Sequence, residues 1–176
     1  YGFSVKYGLA DILQPGNKGR IVGSMQYYEA GDSYQIADLD YDMMNPTDPS
    51  KVMLIESGHK PAWVATTPEK FAKGKVDVTI IENDEETIKE FDYSKLAIGS
   101  SISMKNLTVK SVYTTNNGGD SDGAMTLTCT AGGTQISVRT VVLTDKNGKT
   151  VKADYFEGKT IDVKGIVYTF DGKSQI

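Results

Sequence analysis

Apolar and polar residues alternate along most of this chain instead of recurring every third or fourth place. In Met125-Thr-Leu-Thr-Cys-Thr130 the apolar side chains fall on every second residue, which puts Met125, Leu127 and Cys129 on one face of an extended strand. Read this way, the pattern predicts strands over 3–7, 20–28, 33–40, 52–56, 62–65, 76–82 and 87–93 in the first half. In the second half it predicts them over 101–114, 124–130, 135–144 and 160–170, with a last one starting at Ser174. Turn pairs such as Asn117-Gly118, Asn147-Gly148 and Asp171-Gly172 punctuate these runs. Helical periodicity is nearly absent: the best candidate is 67–73, while 85–91 reads either as a helical turn or, preferably, as a strand edge. In 67–73, Thr67 is placed to cap, Pro68 to open, Glu69 to sit in the first turn and Gly74 to stop the helix. The fold class that follows is all-β.

Two passages share a frame. Residues 71–81 and 155–167 both run aromatic, spacer, Gly-Lys, then alternating apolar residues around an Asp-Val pair. The repetition predicts two small β-barrel or sandwich modules in tandem, 1–95 and 96–176, joined through 94–99. The second module reads as a three-strand meander, a connector over 145–155 without a helix pattern, and a closing hairpin. That is the order of a five-stranded Greek-key barrel, the OB-fold. Gly165, inside the fourth strand, suits a bend where a small barrel turns a corner. For residues 1–95, with six or seven candidate strands, an immunoglobulin-like sandwich stands beside an OB-like barrel.

Gly158, Lys159, Val163, Gly165, Val167, Gly172, Gln175 and Ile176 make up the closing hairpin. It resembles the hairpins of OB-fold domains, in particular modules of secreted or surface-anchored proteins of gut anaerobic bacteria. The resemblance covers 96–176, and reaches 1–95 only through the internal repeat. It implies a fold and an exported location, and carries no activity.

Composition narrows the function classes. The 176 residues carry a net charge of −4, with −6 on residues 1–95 and +2 on 96–176. An acidic first half repels phosphate backbones, so nucleic acid is a disfavoured partner. No run of roughly 18 apolar residues is present to span a membrane as a helix. The chain opens on Tyr1 rather than Met, which fits a trimmed, exported protein found in the periplasm, on the cell surface or outside the cell. Its one cysteine, Cys129, has no partner for a disulfide, and its one histidine, His59, has no evident nucleophile beside it. No Gly-x-Ser-x-Gly and no phosphate-binding loop occur. The expectation is therefore a non-enzyme without a cofactor.

Two sets of residues offer binding chemistry. Tyr27, Tyr28 and Tyr34 flank a hairpin at 29–33, and Trp63 sits in a Pro-rich loop. These rings would form a stacking surface for a glycan, a peptide or a protein. Asp38, Asp40 and Asp42 alternate, so a strand would project three carboxylates from one face, a setting for Ca²⁺. The calcium-loop pattern fails, because Met43 stands where the sharp turn needs Gly and Pro49 where the bidentate acid belongs. Asp120 and Asp122, in the 118–123 loop, are a weaker cation cradle. The meander strands 124–130 and 135–144 contain no aromatic residue, which weakens base stacking where the OB pattern is clearest. A non-catalytic binding module is the leading expectation, with single-stranded nucleic-acid binding and a calcium-dependent adhesion domain as alternatives.

Overall fold

The computed structural model describes residues 13–29, 33–37 and 52–176. The strand expected over 3–7 and the acids Asp38, Asp40 and Asp42 lie outside these residues. Two compact units divide the chain, Tyr1–Ala62 and Trp63–Ile176. Residues 94–99, read from the sequence as the junction, fall within the second. The described residues are mostly strand, with two helices of 6 and 4 residues, so the all-β class holds.

In the first unit, β1 (Lys18–Ile21) pairs antiparallel with β4 (Val52–Glu56), and β2 (Ser24–Tyr28) with β3 (Ser33–Ala37). The single strand expected over 20–28 is thus broken at Val22-Gly23. Glycine weakens a strand interior, and here the chain leaves one partner and takes up another. Val52 is buried, and Lys18 spans β1 and β4 to reach Glu56 at 3.1 Å.

The second unit opens with β5 (Val64–Ala65) and α1 (Pro68–Lys73). Thr67 Oγ1 accepts the Lys70 amide at 3.1 Å, and Phe71 is the buried residue of the helix. A β-carbon on Gly74 would lie 2.3 Å from the Lys70 carbonyl oxygen, so only glycine allows the chain to turn so tightly out of the helix. Replacing Thr67 by alanine strips the Lys70 amide of its acceptor. An expected loss of about 1 kcal/mol follows, read as a lower urea midpoint with unchanged slope.

Next come β6 (Lys75–Glu82) and β7 (Glu85–Asp92), a two-stranded ribbon, and then α2 (Tyr93–Leu96). The two-residue turn of the ribbon, Asn83-Asp84, has φ of 53° and 65°. Both central residues are left-handed, as the right-handed twist of a tight hairpin requires.

The remainder is a curled sheet. β8 (Ser101–Thr114), β9 (Met125–Ala131), β10 (Thr134–Arg139) and β11 (Thr160–Ile166) lie in the order β10-β9-β8-β11, with β5 parallel to the start of β8. β8 is long because it serves two partners: its first half pairs with β11 and its second with β9, Thr108 meeting both. Two irregularities bend it. Between Met104 and Leu107 two residues of β8 oppose the single Asp162 of β11. Asn106 there has φ 58°, and its amide donates to the Asp162 carboxylate at 3.0 Å. The pairing with β9 slips again between Val109 and Ser111. Each slip is a β-bulge that adds twist, which is how a flat ladder is made to curl.

β12 (Tyr168–Phe170) and β13 (Lys173–Gln175) form a hairpin through Asp171-Gly172, both left-handed. The strand expected over 160–170 is therefore two, divided at the buried Val167. Beyond β13, the Ile176 amide donates to Ser137 O at 3.1 Å and the Arg139 amide donates to Ile176 O at 2.7 Å. One residue exchanging bonds with two that flank a third is a parallel pairing, so the chain end lies along β10.

Inside the curl, Ile102, Met104, Leu107 and Val109 meet Met125, Leu127, Cys129, Ile136, Val138, Val167 and Ile176, with Phe71 added from α1. The connector over 145–155 holds a short 3-10 turn, Ala153–Tyr155, and no longer helix. The helix packed on the curl, against β10, comes from ahead of β8.

Candidate functional site

The β2–β3 register decides which rings meet. Met25 pairs with Ile36 and Tyr27 with Tyr34, so these four project from one face of the hairpin. Their exposures are 71% for Met25, 50% for Tyr27, 71% for Tyr34 and 42% for Ile36. The two rings stand 5.2 Å apart, tilted by 52°. Tyr28 is exposed too, but alternation turns it to the opposite face. Trp63 opens the second unit and is 38% exposed. Of the four rings singled out in the sequence, the fold joins Tyr27 and Tyr34. Met25 and Ile36 were missed, although the i±2 spacing from each tyrosine would have found them.

Four apolar side chains on one face of the hairpin make a patch on the order of a few hundred Å². Protein–protein interfaces of standard size bury roughly 800 Å² per partner. The patch is smaller than one side of such an interface.

The second unit holds a different row. Tyr113 on β8 lies opposite Thr126 on β9, which lies opposite Arg139 on β10. Tyr113 is exposed, and Arg139 Nη1 donates to Thr126 Oγ1 at 3.1 Å. This places a ring and a guanidinium on the outer face of the meander, with Thr128 and Ser137 in the next row. β9 and β10 lack aromatics, so the ring comes from β8; only the three-strand register reveals it.

Other candidates resolve into structure. The Asp122 carboxylate accepts the amides of Asn117 and Gly118, so it folds its own loop. Cys129 is buried, and desolvation pushes its thiol up to about 11, which keeps it protonated and inert. His59 Nε2 lies 2.9 Å from the Glu56 carboxylate on an exposed surface. Among the described residues, no group of three or more His, Cys, Asp or Glu is placed to hold a metal ion. The calcium candidates Asp38, Asp40 and Asp42 are not among those residues. No described helix is long and apolar enough to cross a membrane.

Compared with protein-family models, curated proteins and solved structures, the chain matches none.

Proposed function

We propose that this chain is a non-catalytic binding module of an exported or surface-anchored protein, and that Met25, Tyr27, Tyr34 and Ile36 form its contact face. The observation that carries the reading is the gathering of four exposed apolar side chains on one side of the β2–β3 hairpin. A tilted tyrosine pair beside two aliphatic chains presents C–H and π surface to the apolar face of a sugar ring or to a peptide side chain. The Tyr34 hydroxyl would take up a hydroxyl or carbonyl partner at the rim.

An OB-like second module accompanies this reading. It is supported by the pairing of β8 with both β9 and β11, and by the parallel docking of Ile176 beside β10. The row Tyr113–Thr126–Arg139 supports a second reading, single-stranded nucleic acid stacked on Tyr113 with Arg139 on its backbone. The net charge of −4 works against it.

Titration against a panel of glycans and short peptides, with wild type and Tyr34→Ala, tests the contact face. A ligand bound by wild type is expected to lose about tenfold to a hundredfold in affinity on the Tyr34→Ala variant, the scale of an aromatic anchor. Unchanged affinity would remove the hairpin from the account. An oligonucleotide arm with Arg139→Gln, run at two salt concentrations, separates the second reading. Repeating the titrations in calcium and in chelator covers the Asp38, Asp40, Asp42 alternative.

A further inference from the structure

The β6–β7 ribbon is built as a free arm. The Tyr93 amide donates to Gly74 O at 2.8 Å and closes its base. Beyond that point the two strands pair only with each other, so each keeps one outer edge of backbone N–H and C=O groups without a backbone partner among the described residues. Such an edge is a template for another strand. Side chains sharpen the picture. On one face, β7 presents Glu86, Ile88, Glu90 and Asp92, set opposite Ile81, Thr79, Asp77 and Lys75. Ile81 is 67% exposed and Ile88 73%.

Charge decides what could cover this edge. Residues 75–92 hold seven Asp or Glu against two Lys, a net −5, of which β7 carries −3. Both lysines are engaged within the ribbon, Lys75 with Asp92 at 2.7 Å and Lys89 with Glu82 at 3.1 Å. Glu86 is left with no ion pair among the described residues, and Glu90 with only a 3.8 Å approach from Lys75. Acids alone would be accounted for as a guard against edge-to-edge aggregation. That account gives no reason for two large apolar side chains to lie bare on the same face among them.

We propose that the outer edge of β7 takes up an extended basic segment of a partner protein by strand addition. The added strand would place alternate side chains beside Glu86, Ile88 and Glu90, so the segment reads basic–x–apolar–x–basic. Main-chain bonds supply the docking, and the period-two pattern supplies the selectivity. Strand addition at β7 belongs to the second unit and needs nothing of the tyrosine face on the first.

The probe is a capped peptide, Lys-Thr-Ile-Thr-Lys-Thr, followed by amide chemical shifts of the whole chain at about 0.15 M salt. Its controls are the same peptide with alternate amides N-methylated and a scrambled peptide of equal charge. Shifts are expected to gather on residues 85–92. N-methylation and the Glu86→Lys, Glu90→Lys double variant should each weaken binding at least about tenfold. The Glu86→Gln, Glu90→Gln variant, which leaves the fold's charge pattern milder, should weaken it less than reversal does. Absence of binding overturns the proposal. So does equal binding of the N-methylated or scrambled peptide, which would mean charge attraction alone, and so do shifts centred away from β7.

Discussion

Replacing Leu107 by alanine is expected to destabilise the second unit by about 2–5 kcal/mol, with the upper part of that range favoured. Leu107 is fully buried, and it sits where β8 passes from pairing with β11 to pairing with β9. A cavity there has little freedom to collapse. The strand is held by ladders on both sides, and the Asn106 amide beside it is bonded to Asp162. The cost of a large-to-small change rises with the volume left empty, so a clamped site stands near the top of the observed range. Domains are typically stable by 5–15 kcal/mol, which makes this one substitution a large share of the total. Urea unfolding should show a lower midpoint with an unchanged slope. Leu96→Ala is the control: Leu96 is exposed, and its loss should change stability by no more than about 0.5 kcal/mol. Equal effects at the two positions would mean that burial in the curl does not carry the stability.

Much of this architecture could be read from local sequence. The period-two run through Met125, Leu127 and Cys129 gave the inner face of β9, because a strand with one buried face leaves no other arrangement. The cap Thr67-Pro68 marked α1, since its signals lie within one turn. Where local sequence and fold part company, the cause is tertiary. The runs over 20–28 and 160–170 look continuous in hydrophobicity, yet each changes partner part-way, at Val22-Gly23 and at Val167. Gly23 marks the first break locally, but which strand is taken up next is not written in either run. The left-handed Asn83-Asp84 turn was overlooked because neither residue is glycine, although Asn and Asp tolerate that conformation. The candidate face was half legible. Two tyrosines flanking a short hairpin must approach one another in some register, but Met25 and Ile36 join them only in the register that pairs Tyr27 with Tyr34. The row that sets Tyr113 and Arg139 on either side of Thr126 needs two registers in succession, and no spacing along the chain encodes it.

Placing a single methyl on Gly165 is expected to cost about 1–3 kcal/mol, the penalty of overpacking. A β-carbon there would lie 2.5 Å from Ile176 Cγ2, and Ile176 is poorly placed to retreat. Its amide and carbonyl are bonded to Ser137 and Arg139, and its side chain is buried. Gly165 belongs to β11 and Ser137 and Arg139 to β10, the two ends of the β10-β9-β8-β11 sheet. Ile176 therefore bonds to one end strand while packing against the other, and the absent side chain at Gly165 is what lets it fit. The two positions should be energetically coupled for this reason. In a double-mutant cycle, Gly165→Ala and Ile176→Ala together should cost less than the sum of the single changes by about 1 kcal/mol or more, because trimming Ile176 removes the clash. Additive losses would show instead that Gly165 acts through the strand's own backbone, and that closure of the curl does not depend on this contact.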